Sequence, residues 1–178
     1  QPSKDKLEEI CNIKQPLTFE YVINDNELLK SNIIQTYKAF DVKVYDKSKS
    51  DSIPLTIDLT NKLFMNDKKA NFYTENNEDF LEETGLIKRF KYNDGFLRPN
   101  FVSNCYYDFL YGSNQVTTPL KYEMNCRNFF FVKKGTLKIK LAPPKNAKYL
   151  NTTKDYGYFS FSSPIDPWKI QDKYKPNF

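Results

Sequence analysis

From Phe101 onward the chain divides into short runs rich in β-forming residues: FVSNCYYDFLYG, TTPLKYEM, NFFFVKK, TLKIKLAPP and YGYFSFSS. Turn residues separate them at roughly ten-residue intervals, the spacing of an antiparallel barrel or sandwich. No other feature constrains the fold as strongly. Aromatic and β-branched runs of this length need a partner strand and a covered face, and turns this close leave only antiparallel connections.

The first hundred residues read as a mixture. SKDKLEEIC predicts a helix with Ser3 as N-cap and Leu7, Ile10 and Cys11 on one face. QPLTFEYVI predicts a strand. NDNELLKSNIIQTYKAF predicts a helix capped by Asn24 or Asp25, with Leu28, Leu29, Ile33 and Tyr37 turned inward. DVKVYD alternates through Val42 and Val44, and IPLTIDL through Ile53, Leu55, Ile57 and Leu59, so both predict strands. Residues 61–74 show no decisive pattern. NNEDFLEETG predicts a short helix capped by Asn76 or Asn77, with Gly85 just past its end, and NDG at 93–95 predicts a turn. We therefore expect one domain over 1–178: a mixed part at 1–100, a β core at 101–170 and an extended tail at 171–178.

Composition narrows the function. With 39% hydrophobic and 16% aromatic residues over 178 positions, the chain can bury a core. The net charge of +5, from 27 basic and 22 acidic residues, is mild and does not favour nucleic acid as the partner. Cys11, Cys105 and Cys126 form no close pair, which argues against a disulfide framework or zinc site and for a reducing compartment: cytoplasm, organelle interior or virus particle. No apolar run approaches the ~20 residues of a membrane span. The chain has no histidine, so it holds no Ser-His or Cys-His nucleophile. NNEDFLEE reads as a solvated helix start rather than a calcium loop. Cys126 reads as a buried inert thiol, or as a reactive one beside Arg127. Tyr106 and Tyr107 are interface candidates, as is Trp168, which anchors the tail either on this chain or on a partner.

One ordered series of motifs is more specific. It runs Thr118-Pro119-Leu120-Lys121-Tyr122-Glu123, Asn128-Phe129-Phe130, Gly135-Thr136-Leu137 and Leu141-Ala142-Pro143-Pro144, followed by SSPIDPW. This series resembles the asparaginyl-hydroxylase-type cupin branch of the JmjC family, the iron(II)- and 2-oxoglutarate-dependent hydroxylases, over residues 101–170. The resemblance implies an α+β, mainly β architecture: a cupin or jelly-roll-like double-stranded β-helix, incomplete at its C-terminus, with the N-terminal helices packed outside. It also implies roles by position. Lys121 and Glu123 stand where the first histidine and the carboxylate of the iron triad would be, and Leu137 where a lysine binds 2-oxoglutarate. Thr118 and Asn128 stand at co-substrate contacts.

The departures remove that chemistry. Imidazole ligates iron through a neutral lone pair, whereas a lysine ammonium has three donors and no acceptor. Leucine cannot pair with a carboxylate, and strand alternation turns the adjacent Lys138 to the opposite face. We expect a JmjC/cupin-like pseudoenzyme without catalytic residues, metal or cofactor, acting as a structural subunit among other protein chains. Two alternatives remain. One is an iron(II)/2-oxoglutarate hydroxylase-like enzyme completed by strands and ligands outside this sequence. The other is a binding module for an anionic ligand or nucleic acid. Lys121 and Glu123 form either an interior pair, the ammonium replacing the metal, or a solvated surface pair at the barrel mouth.

Overall fold

A computed structural model of the chain describes residues 1–22, 32–49, 51–122, 124–156 and 160–177. It is an α+β fold, and its contacts group into two units, 1–116 and 117–178. The predicted cap at Asn24 or Asp25, together with Leu28 and Leu29, lies outside the described residues.

In the first unit, α1 (Lys4–Asn12) starts as its sequence predicts: the Ser3 side chain accepts from the Lys6 amide at 3.2 Å, and Leu7 is fully buried. QPLTFEYVI forms no ladder over its described residues. Its aromatics are satisfied by ring packing instead. Tyr21 stacks on Phe96 at 5.5 Å and donates its hydroxyl to Asn93 Oδ1 at 2.9 Å. A short helix, α2 (Ile33–Thr36), buries Ile33 and leads into β1 (Asp41–Asp46), where Val42 and Val44 face the core as expected.

The second predicted strand is cut short. β2 covers Ser52–Thr56, and Ile57 opens the helix α3 (Ile57–Asn66). The Thr56 hydroxyl accepts from the Leu59 amide, and Ile57, Thr60 and Phe64 recur at helical spacing on the buried face. Capping and helical periodicity outweigh the two-residue alternation there. β3 (Phe72–Thr74) follows, then α4 (Glu78–Glu83), α5 (Leu86–Lys91), α6 (Asp94–Leu97) and the two-residue β4 (Tyr111–Gly112). Gly85 joins α4 to α5 with φ of +71°, a conformation that costs glycine little.

The four strands form one antiparallel sheet in the order β2-β1-β3-β4. Val42 pairs with Leu55, Val44 with Thr74, and Tyr73 with Gly112. Val42, Val44, Ile57, Phe64, Phe80 and Leu81 are core residues of this unit, and the Phe64 and Tyr111 rings lie 4.9 Å apart. Asn77, one per cent exposed, joins the layers through its side chain. Its Oδ1 accepts from the Lys43 amide at 2.7 Å, past the last β1–β3 pair, and its Nδ2 donates to the Phe109 carbonyl at 3.0 Å. The Asp108 carboxylate accepts from the Asn76, Asn77 and Phe109 amides at 2.7–2.9 Å. That loop carboxylate thus serves the start of α4 that the Asn77 side chain leaves uncapped.

The second unit has less regular structure. A 3-10 turn covers Pro144–Tyr149, β5 (Thr153–Asp155) pairs antiparallel with β6 (Ser160–Ser162), and Lys121 bridges Ser162. NFFFVKK and TLKIKLAPP, both read as strands, carry no ladder among the described residues. Residues 172–177, expected as an extended tail, wind into a 3-10 turn.

Two outcomes follow for the first unit. Asn77→Leu strands the Lys43 amide, and an orphaned buried donor costs about 1–3 kcal/mol. The midpoint of thermal unfolding should fall by roughly 10 °C. Asp79→Ala, which removes only the exposed Lys43–Asp79 pair, should change it little. Alkaline pH should act through Tyr73. Burial, then Glu75 and Tyr45, push its hydroxyl up to about 12, against about 10 in the unfolded chain. The native state then holds the proton more tightly, so this stabilisation is complete below pH ~10 and lost between ~10 and ~12. Unfolding midpoints at pH 9 and 11, compared with those of Tyr73→Phe, should show a smaller alkaline loss in the variant.

Candidate functional site

The positions singled out by the motif series lie in the second unit, where one antiparallel layer includes Lys121. β6 is its middle strand, with β5 on one side and residues 120–122 on the other. The Tyr122 amide donates to the Phe161 carbonyl and the Ser163 amide to the Leu120 carbonyl, both at 2.8 Å. This pattern makes Lys121 and Ser162 a non-hydrogen-bonded pair, the closer of the two antiparallel arrangements. Ile165, three residues past Ser162, is one per cent exposed. The Ser163 hydroxyl donates to the Leu150 carbonyl and accepts from the Ile165 amide.

Lys121 is exposed, which corrects the expectation of an interior pair; Glu123 lies outside the described residues. Thr118 and Asn128 are exposed, and Asn128 Oδ1 accepts from Asn125 Nδ2 at 3.2 Å. Leu137 is 46% exposed. None of Thr118, Lys121, Asn128 or Leu137 lines the small apolar cavity of about 170 Å³ under Leu120, Leu141, Leu150, Ile165 and Ile170. Cys126, expected to be buried, is exposed.

The interface candidates divide as follows. Trp168 is partly exposed but engaged within its own unit. Its amide donates to Asp166 Oδ1 at 2.8 Å, and the Lys140 ammonium stands 4.4 Å from its ring centre while donating to the Pro167 carbonyl. Tyr106 and Tyr107 belong to the first unit. Tyr106 is exposed, and Tyr107 is half-buried with its hydroxyl donating to Asp94. Burial first, then that hydrogen bond, raise the Tyr107 hydroxyl above its usual range.

The donor set does not fit iron or 2-oxoglutarate. The chain offers no imidazole, and the positions that the resemblance would assign to the first iron ligand and to the cation for the co-substrate carboxylate are an exposed lysine and an exposed leucine. Among the described residues, no group of three or more Cys, Asp or Glu is arranged to hold a metal ion, and no helix is long and apolar enough to cross a membrane.

Two features stand out that whole-chain composition concealed. The first is charge segregation. Residues 1–116 carry 15 Lys and Arg against 18 Asp and Glu, while residues 117–178 carry 12 against 4. Residues 124–154 hold 8 basic residues and no acidic one. The second is an exposed apolar run: Phe129, Phe130, Phe131, Val132, Leu137, Ile139 and Leu141 are each 40–68% exposed. Counting charge by segment would have revealed the first. Periodicity could not reveal the second, because the run reads equally well as a buried strand.

Comparison with protein families, curated proteins and solved structures gives no match to this chain.

The poor fit to the cofactor pair is open to a direct measurement. A ligand at about 100 times its Kd stabilises the state it binds by about 2.7 kcal/mol. Millimolar Mn(II) with 2-oxoglutarate should leave the unfolding midpoint unchanged. A saturable upward shift would show that other residues rebuild the site.

Proposed function

We propose that this chain is a non-catalytic structural or assembly subunit, and that residues 117–178 are the module that docks it to another protein chain. The exposed apolar run Phe129–Leu141 carries this reading. Contiguous apolar patches are uncommon on isolated soluble proteins and usually mark a surface that another molecule covers. The aromatic members suit an interface core, because they bury large area at low conformational cost. The misfit of Lys121 and Leu137 to iron and 2-oxoglutarate supports a role without oxygenase chemistry.

The finer architecture belongs to the same proposal. Residues 101–170 follow the plan of a double-stranded β-helix of the JmjC/cupin-like type. The motif order and the antiparallel placement of residues 120–122 beside β6 support this plan. The three cysteines, all free thiols, are compatible with a reducing compartment.

The test is chromatographic. Tagged chain expressed in its source cells should elute well above the 21.1 kDa of the free polypeptide. A Phe129→Ser/Phe131→Ser variant should shift to the free position while retaining the unfolding midpoint of the first unit. Elution of the unaltered chain at its own mass would overturn the reading.

A further inference from the structure

We infer that Thr136–Leu141 receives an extended acidic segment of a partner protein as an added β-strand. This rests on the docking role proposed above and names the chemistry of the partner.

Three observations converge on this segment. Its side chains alternate, Leu137, Ile139 and Leu141 with Lys138 and Lys140 between them, so an extended conformation presents an apolar and a basic face. Among the described residues, no backbone–backbone hydrogen bond involves Thr136–Leu141, although β-forming residues fill the run. The flanking sequence is basic, since residues 124–154 contain no carboxylate. An exposed run of this kind is a template for strand addition.

The backbone groups that this exposed segment can exchange from water to a partner select among acidic partners. An extended segment needs donors for its carbonyls as well as acceptors for its amides. A peptide strand supplies both in register. Nucleic-acid phosphates and phospholipid phosphates answer the lysines and amides but donate nothing to the carbonyls. A second copy of the same segment would supply the backbone groups, yet it would set lysines against lysines, and like charges across a ladder are destabilising. An acidic strand alternating carboxylates with β-branched residues meets the apolar face, the lysines and the amides and carbonyls along one edge of the segment together. Lys140 is already committed to the Pro167 carbonyl and the Trp168 ring, so Lys134 and Lys138 are the positions assigned to the partner's carboxylates.

The experiment uses the full chain and a fluorescein-labelled peptide, Glu-Val-Glu-Val-Glu-Val-Glu, followed by anisotropy. The comparison probes are its lysine-for-glutamate counterpart, a twenty-nucleotide oligo-dT and phosphatidylserine vesicles. The acidic peptide should bind more tightly than the basic one. Lys134→Glu/Lys138→Glu should weaken it by at least about tenfold. Ile139→Pro, which removes one amide donor without changing charge, should weaken it comparably. Equal binding of the two peptides, or binding of oligo-dT or vesicles without the acidic peptide, would overturn the assignment. The chromatographic assay separates this inference from the reading it rests on. If Lys134→Glu/Lys138→Glu stays in the assembly while Phe129→Ser/Phe131→Ser leaves it, strand addition is refuted and the docking role stands.

Discussion

The first unit depends on one buried amide. Asn77 lies where β1 has run past its pairing with β3 and where the 105–110 segment approaches α4, and its side chain satisfies a backbone group on each. A buried polar side chain is costly unless its hydrogen bonds are made. Here both the oxygen and the nitrogen of the amide are used. Asp108 completes the junction by taking the Asn76 and Asn77 amides. An Asn77 side chain committed to Lys43 and Phe109 cannot also cap its own helix, so the cap comes from a loop more than thirty residues away in sequence. Thr74 extends the junction: its hydroxyl donates to the Phe109 carbonyl and accepts from the Tyr111 amide, which holds the short strand β4 at the sheet edge. Apolar packing of Phe80, Leu81 and Val44 supplies the burial, and this polar cluster sets the register in which it occurs.

The second unit is built on a different balance. Ile165 is the buried apolar side chain among its described residues, against a longer run of exposed ones. Its ordering comes from local ties: Ser163 to Leu150 and Ile165, Asp166 to the Trp168 and Lys169 amides, and Gln171 to Asp166 and Pro164. Local hydrogen bonds contribute modestly each, whereas the apolar area left in water represents stabilisation still to be gained on association. The docking role proposed above rests on this contrast between the units. One has spent its apolar residues on its own core, and the other presents them.

How far the sequence discloses this depends on whether the deciding signal is local. Ser3 and the start of α1, Gly85 at the junction of α4 and α5, and the alternation of Val42 and Val44 were legible because a cap, a positive φ and a two-residue period are each set within a few positions. The strand predicted through Ile57 and Leu59 failed for a related reason. Residues 53–59 satisfy alternation, but Thr56 is also a good cap and the continuation to Phe64 is helical, so the longer pattern won. Asn77 was read as a cap because that is the local use of an asparagine. Its actual partners, Lys43 and Phe109, are distant in sequence, and no pattern around residue 77 announces them. The placements of Phe19 and Tyr21 against α6 are of the same kind.

The motif series and the charge distribution carry information of different sorts. Motifs such as Thr118-Pro119 or Pro143-Pro144 constrain the backbone whatever chemistry the neighbouring side chains carry. Side-chain chemistry answers to what is bound at present. Here the position that the resemblance assigns to a metal ligand is a lysine and the one it assigns to a co-substrate cation is a leucine, while residues 124–154 hold eight basic residues and no Asp or Glu. A metal site and a basic docking strip make opposite electrostatic demands, the first drawing carboxylates inward and the second keeping them away. The near-neutral first unit dilutes this signal in the whole-chain charge, and it emerges only when charge is counted over the segments that the fold defines. The absence of acidic residues from 124–154 therefore bears more directly on the partner proposed here than the net charge of +5 does.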